Sequence, residues 1–402
     1  MIITSLLDTD IYKFSMMQVV LHQFPGAEVE YRFRCRSKDI DLRPIRQELE
    51  HEIEQLCQLR LSEDELDYLG SLRYLKSDFI EFLRLFHLQS RFIQIDEVSD
   101  ADLEDNQATG ENGGLSLRIR GPWLHTILFE VPLLAIISEL YLKHRHPEHA
   151  LEQGRTRLGE KIQQVKTLDR PDEFIFADFG TRRRLSKDWH SEVVRQLARE
   201  LPGSLRGTSN VGLARELDLV PIGTMAHEFI QACQALGPRL SESQRFAFDI
   251  WAREYRGDLG IALSDTYSLK AFLRDFDLYF CKLFDGARQD SGDPALWAQA
   301  MIDHYRAHGI DPKDRNLIFS DGLDIPRAVA IWQSFRDQAK VSFGIGTNLT
   351  NDTGIDPINI VIKMTECNGQ PVVKLSDSPG KVVSTNPQYL AWVRDAFDVA
   401  EQ

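Results

Sequence analysis

The chain has 402 residues, 43% hydrophobic and 27% charged, which is enough for two or three domains and more than one buried core. Its formal net charge of −14 argues against a nucleic-acid partner but leaves room for local arginines to bind a small anion. The lack of any long uninterrupted apolar run argues against a membrane span, the start "MIITSLLDTD" has no basic leader, and five scattered cysteines without a CxxC pair disfavour disulfides and zinc-thiolate sites, so a reducing cytoplasm is expected.

The first third predicts a mixed α+β region. Thr9 and Asp10 stand where they could cap a helix through "TDIYKFSMMQVVLHQF". In "EVEYRFRCR", Val29, Tyr31, Phe33 and Cys35 alternate with charged residues, the period of a half-buried strand. Helices rich in Glu and Leu follow. "RFIQIDEV" and "LSLRIRG" predict a strand pair joined by the acidic surface loop "SDADLEDNQATGENGG". "ILFEVPLLAIISELYL", with Glu130, Pro132 and Glu139, predicts a buried helix. In "KHRHPEH", His144, His146 and His149 lack a regular ligand face and read as a solvated connection rather than a metal site.

Beyond this point short apolar runs alternate with helical segments. Eight strand candidates are "EFIFADFG", "GSLRGTSN", "LDLVPIGT", "LGIALSDT", "YFCKLFDGARQDSGD", "RNLIFSDG", "KVSFGIGT" and "PINIVIK". Repeated βα units predict an α/β fold with a (β/α)8-like barrel, and a doubly wound sheet is the alternative. "VIKMTECNGQPVVKLSD" places an Asn-Gly turn between two extended runs, a hairpin signal, before a last helix. The expected division is 1–145 (α+β), 146–363 (barrel with the active site) and 364–402 (a tail packing back on the first domain).

Most barrel candidates end in polar or small residues, and in a barrel those ends meet on one face, as a ligand cavity would require. Helix capping is the competing reading, well suited to Asp293 before Pro294, with Asp321 or Thr347 as turn residues. Gly344, Gly346 and Thr347, with Gly322 in "FSDG", could present backbone N–H groups to phosphate. Arg288 suits a phosphate or carboxylate, and Asp290 could hold ribose hydroxyls or, through water, Mg²⁺. Phe179 and Arg182 offer a ring face and a cation to a planar anion, although Phe179 is as easily a core residue. His227 in "PIGTMAHEF" is by default a packed or solvated histidine, and its place at a polar strand end raises a functional role.

Ten motifs then line up in order over nearly the whole chain: "LLDTDIYKFSM", "YRFRCR", "FADFGTRRR", "GTSN", "PIGTMAHEF", "LSDTYS", "RQDSGDP", "FSDGLD", "FGIGTNLTND" and "KLSDSPGK". Together they resemble the nicotinate phosphoribosyltransferases, a type II phosphoribosyltransferase family. The resemblance implies an irregular α/β barrel beside an α+β domain. It implies formation of nicotinate mononucleotide and pyrophosphate from nicotinate and phosphoribosyl pyrophosphate in NAD salvage. It also implies Mg²⁺ and ATP as co-substrate, with ATP hydrolysis coupled through a phosphohistidine.

Carried over by motif, His227 is the phosphorylated residue and Asp265 orients its ring. Tyr12 and Phe179 sandwich the pyridine, with Tyr12 supplied by a partner subunit, which implies a homodimer with shared sites. Arg182 and Arg288 surround the nicotinate and the phosphoribosyl group. Asp290, Ser291, Asp321, Gly322, Gly346 and Thr347 serve phosphoribosyl pyrophosphate, with Arg36 reaching a phosphate across the dimer interface. Ser209 stands where nicotinamide-using relatives carry Asp, and a hydroxyl donor there favours the acid over the amide. The rivals are a nicotinamide-using enzyme, a sugar-phosphate aldolase or isomerase, for which no well-placed Lys or Glu base is evident, and a non-catalytic binding barrel.

Overall fold

Alternation along the first strand sets up one of two sheets: Val29, Tyr31, Phe33 and Cys35 are buried, and Arg32 and Arg34 between them are partly exposed. The computed structural model describes residues 1–38, 40–98, 113–145, 148–377, 382, 384 and 386–400. Its strands are β1 (Glu28–Cys35), β2 (Ile93–Glu97), β3 (Leu115–Pro122), β4 (Ile175–Asp178), β5 (Leu205–Thr208), β6 (Val220–Pro221), β7 (Arg256–Leu259), β8 (Ile261–Leu263), β9 (Gly286–Gln289), β10 (Asn316–Phe319), β11 (Lys340–Ile345), β12 (Ile360–Cys367) and β13 (Gln370–Pro371).

The first sheet runs β13-β12-β1-β3-β2, with every pairing antiparallel. The second runs β6-β5-β4-β11-β10-β9-β8, with every pairing parallel. The chain is therefore a mixed α/β fold with a seven-stranded parallel sheet and a separate antiparallel sheet.

One strand expectation is corrected. "PINIVIK" is not an eighth parallel strand; as β12 it pairs antiparallel with β1, from Val29 opposite Cys367 to Cys35 opposite Ile360. Period and composition cannot distinguish the two fates of this run, because it is apolar on both faces and lacks the alternation that marks β1. The Asn-Gly hairpin forms, with Asn368 at φ 48 and Gly369 at φ 73, the left-handed pair that a tight two-residue turn needs. The strand pair β2–β3 also forms, while most of the acidic loop between them lies outside the described residues.

The apolar segment Trp123–Lys143 is long and apolar enough to cross a membrane, but 89% of its apolar window is buried in the fold. It packs as a core helix. All five cysteines are buried and free.

The helix Ile11–Gln23 carries an unusual core charge. Lys13 is fully buried, with Nζ 2.6 Å from Glu130 Oε2 and 2.5 Å from Glu228 Oε2. Glu228 Oε1 accepts from Tyr31 Oη at 3.1 Å and from Trp123 Nε1 at 3.3 Å. Removing the ammonium would leave two carboxylates buried against each other. Lys13→Met is expected to lower the free energy of unfolding by about 3–5 kcal/mol, measured by urea denaturation at neutral pH. A loss below about 1 kcal/mol would show that the cluster is not a buried ion network.

A candidate active site at the strand ends

The carboxyl ends of the parallel strands open on a cavity of about 410 Å³. Twelve of the candidate ligand residues read from the sequence line it: Tyr12, Arg36, Phe179, Arg182, Ser209, Arg288, Asp290, Asp321, Gly322, Gly344, Gly346 and Thr347. His227, Asp265 and Ser291 form a buried cluster behind this lining.

The two aromatic side chains are placed by close backbone packing. Phe179 follows β4, and its N–H donates to Ile345 O at 2.9 Å. A Cβ on Gly344 would lie 2.3 Å from the Phe179 ring, so only glycine lets the ring lie against β11. Gly344 thus serves the ring rather than a phosphate turn. Tyr12 opens the helix Ile11–Gln23, and a Cβ on Gly223 would meet Ile11 Cγ2 at 2.8 Å, so the glycine of "PIGTMAHEF" lets this helix approach the sheet. The turn after Asp178 is pinned by that buried carboxylate, which accepts from Gly180 N (2.9 Å), Thr208 Oγ1 (2.6 Å) and His190 Nε2 (2.7 Å).

Arg182 stands over Tyr12, its guanidinium carbon 5.2 Å from the ring centroid, and one of its terminal nitrogens donates to the Tyr12 hydroxyl. Arg182 Nη1 is 3.3 Å from Glu130 Oε1, and Nε is 3.5 Å from Asp10 Oδ2. Asp10 does not cap its helix as the sequence suggested. Its side chain makes no capping bond; it accepts from Ser209 Oγ at 2.7 Å, because the first ten residues run along the sheet's open end and bridge to Asn210. Ser209 Oγ thus donates to Asp10 beside the cavity that it lines. Tyr12 lines the cavity of its own chain, because helix Ile11–Gln23 packs beside "GTSN". Arg36 lines the same single-chain cavity.

Behind this wall, Asp265 Oδ1 lies 3.0 Å from His227 Nε2, while Oδ2 receives Lys374 Nζ at 2.7 Å and Ser291 Oγ at 2.6 Å. Lys374 and His227 hold the Asp265 carboxyl well below its usual range against the opposing effect of burial. An ionised Asp265 fixes the N–H of His227 on Nε2 and leaves the Nδ1 lone pair, 3.7 Å from Asp290 Oδ2. Burial, reinforced by the Lys374 charge, pushes the imidazole down to about 4, so His227 is neutral at physiological pH. A buried neutral imidazole with one committed nitrogen is a nucleophile in waiting.

The cavity is rich in cations. Arg36, Arg182, Arg183, Arg288, Lys363 and Lys374 face it against Asp10, Asp290 and Asp321. Burial first, then Arg182 and Arg36, pushes Arg183 down to about 10. Burial and then Lys374 push Lys363 down to about 8. Crowded, desolvated cations of this kind are relieved by an anion. Arg288 Nε is buried without a hydrogen-bond partner among the described residues, which fits a ligand-facing guanidinium. Ser320 Oγ lies 3.0 Å from Asp290 Oδ1.

Capping explains part of the polar pattern. Asn210, Asp293 and Asp324 each accept from a backbone N–H in the first turn of a helix. Lys363 and Lys374 were missed, although a lone lysine in "INIVIKM" or in "PVVKL" was a readable signal. In "KHRHPEH", His144 bonds Glu48 at 2.7 Å and His146 lies outside the described residues. The Cys281, His304 and His308 donor atoms come within 4.8 Å of one another, but none of the three lines the cavity.

Comparison with known proteins fits this geometry. The profile of the "Nicotinate phosphoribosyltransferase (NAPRTase) family" matches residues 174–401, and that of the "NAPRTase N-terminal domain" matches residues 7–138. Nicotinate phosphoribosyltransferases of Cupriavidus necator and Bordetella petrii are each 55% identical to the chain, over 399 and 404 residues, covering 99% of both sequences in each case. The crystal structure of a nicotinate phosphoribosyltransferase from Vibrio cholerae superposes with a TM-score of 0.92 at 37% identity, covering 100% of this chain and 95% of that one. The corresponding Porphyromonas gingivalis structure gives 0.90 at 33% identity, covering 99% and 100%.

The depressed imidazole has a stability signature. Because the folded value of about 4 lies below the ordinary 6.5, the unfolded chain binds the proton first as pH falls. His227 therefore contributes stability that is present above pH 6.5 and is lost as pH falls toward 4. Between pH 7 and pH 5 this amounts to about 2 kcal/mol. Urea denaturation of wild type and His227→Asn at both pH values should show wild type losing that much more than the variant. Parallel losses would mean that His227 is not held neutral.

Proposed function

This chain belongs to the nicotinate phosphoribosyltransferase family and is an enzyme of that type, and we propose that its cavity couples the transfer to ATP through a phosphorylated His227. In this reading nicotinate lies between Tyr12 and Phe179 with its carboxylate toward Arg182. The ribose is held near Arg288 and Asp290, and phosphate groups meet Gly322, Gly346 and Thr347. The pyrophosphate lies toward Arg36, Arg183, Lys363 and Lys374. The pyridine nitrogen attacks ribose C1 as the C1–O bond to pyrophosphate breaks. No proton leaves the nucleophile, so catalysis is positioning and stabilisation of the departing negative charge.

Asp290 and Asp321 are hard oxygen donors on the cavity wall, and a small carboxylate set of this kind suits Mg²⁺, which keeps its waters. When bound there, Mg²⁺ would neutralise pyrophosphate oxygens.

The observation that carries the phosphohistidine proposal is the committed Nε2 and available Nδ1 of His227, in a site whose transfer chemistry needs no base. Nδ1 would attack the γ-phosphorus of ATP, forming a P–N bond as the bond to ADP breaks, and water would later release phosphate. The added charge would sit close to Lys374, one of the cations that line the cavity. With labelled ATP, the wild type should accumulate acid-labile phosphate on one histidine. His227→Asn should take up none while keeping ATP-independent transfer, so that added ATP changes its rate by less than about twofold. Undiminished labelling in that variant would refute the assignment.

Acid selectivity would rest on Arg182 rather than on Ser209, whose proton goes to Asp10. Ser209→Ala should then change the KM for nicotinate by less than about threefold, and a larger rise would restore the serine as the acid-reading donor.

The parallel sheet would act as an irregular (β/α)8-like barrel, since Thr224 Oγ1 donates to Ile261 O at 3.2 Å across the opening between β6 and β8. Buried free thiols suit a reducing cytoplasm. A homodimer, if formed, would not be needed to supply Tyr12 or Arg36. Activity per chain should accordingly survive dilution below the concentration at which sedimentation shows monomers. Its loss on dilution would restore the shared site.

A further inference from the structure

Arg182 leaves a single turn of helix, Thr181–Arg183, after β4, and no backbone feature dictates where its long side chain points. Arginine carries roughly 2 kcal/mol of rotamer entropy, so holding it toward a small ligand requires outside contacts. Those contacts are the Tyr12 hydroxyl, Asp10 Oδ2 at 3.5 Å and Glu130 Oε1 at 3.3 Å.

Glu130 is not part of the cavity wall. It is buried, and its second oxygen is held by Lys13 Nζ at 2.6 Å. Lys13 is immobilised in turn, because it is fully buried and its Nζ also meets Glu228 Oε2 at 2.5 Å. Glu228 ends the series against Tyr31 of β1 and Trp123 of the core helix. Arg182 is thus connected, one ionic contact at a time, to side chains that cannot move without opening the core. Lys13 also follows Tyr12 directly, so the same anchor fixes the ring on which Arg182 stacks.

We propose that Glu130 and Lys13 are positioning residues for the acid-binding guanidinium of Arg182, holding it over Tyr12 where a nicotinate carboxylate must meet it. The inference rests on the reading of Arg182 as the nicotinate-binding cation. The alternative role for Glu130 is charge balance, since it faces Lys13, Arg182 and Lys363. The two roles predict opposite signs. If Glu130 only offsets positive charge, neutralising it makes the cavity more attractive to an anion and lowers the KM for nicotinate. If it positions Arg182, neutralising it frees the guanidinium and raises that KM.

The test is steady-state kinetics of the full-length protein carrying Arg182→Ala, Glu130→Gln, Glu130→Asp, or Arg182→Ala with Glu130→Gln. Arg182→Ala should raise the KM for nicotinate by at least about tenfold. Glu130→Gln should raise it by about tenfold, with kcat at saturating nicotinate and the KM for phosphoribosyl pyrophosphate within about twofold of wild type. Glu130→Asp keeps the charge but withdraws the carboxylate by one methylene. It should also raise the KM, and it stands in if the Gln variant fails to fold. The double variant should be no worse than Arg182→Ala alone, because the anchor has nothing left to hold. An unchanged or lowered KM in the foldable Glu130 variants, with Arg182→Ala strongly impaired, overturns the positioning role alone. An unimpaired Arg182→Ala overturns the reading of Arg182 itself, and the positioning role with it.

Discussion

The carboxylate of Asp265 is almost wholly shielded from water, a position it can hold only because three donors from distant parts of the chain converge on it. His227 comes from the helix after β6, Ser291 from the end of β9, and Lys374 from beyond the β12–β13 hairpin. Each bond does local work. The lysine keeps the carboxylate ionised, the ionised carboxylate chooses the tautomer of the histidine, and the serine links the group to the strand that also carries Arg288 and Asp290. Loss of any donor would leave a buried charge short of partners, so the chemistry of His227 is tied to the integrity of the fold around it.

Lys374 and Lys363 reach this place because of how the two sheets share the chain. β12 leaves the parallel region, lies antiparallel on β1, and brings Val361 and Lys363 to the cavity on its way. The C-terminal segment then turns at Asn368–Gly369 and returns Lys374 to the mouth of the parallel sheet. The antiparallel sheet is thus a second wall of the site, and it is the wall that carries lysine. The N-terminal segment does the same from the other side, with Tyr12 and Lys13 on one helix turn serving the cavity and the core respectively.

Local pattern made much of this legible. The alternation in β1, the polar strand ends and the Asn-Gly turn are encoded within a few residues, and motif resemblance assigned the strand-end residues that the structure gathers. What stayed hidden depends on contacts distant in sequence. Nothing within "PINIVIK" says whether its partner is parallel or antiparallel, because the run is apolar on both faces. Nothing around Lys13 announces two glutamates more than a hundred residues away. The commitment of the Ser209 proton to Asp10 is a hydrogen-bond direction, which residue identity cannot encode.

Electrostatics connects these features. The chain as a whole is strongly acidic, yet its cavity concentrates arginine and lysine until burial and mutual repulsion push Arg183 and Lys363 well below their ordinary values. His227 is kept neutral first by burial and then by the Lys374 charge. Burial and the Lys374 ammonium both oppose a second proton on the imidazole, while its carboxylate neighbours Asp265 and Asp290 pull the other way. Under the proposed phosphorylation, the Lys374 ammonium that opposes a proton on the ring would favour negative charge there. In the proposed mechanism the cations lining the cavity would serve both a pyrophosphate leaving group and a phosphorylated His227.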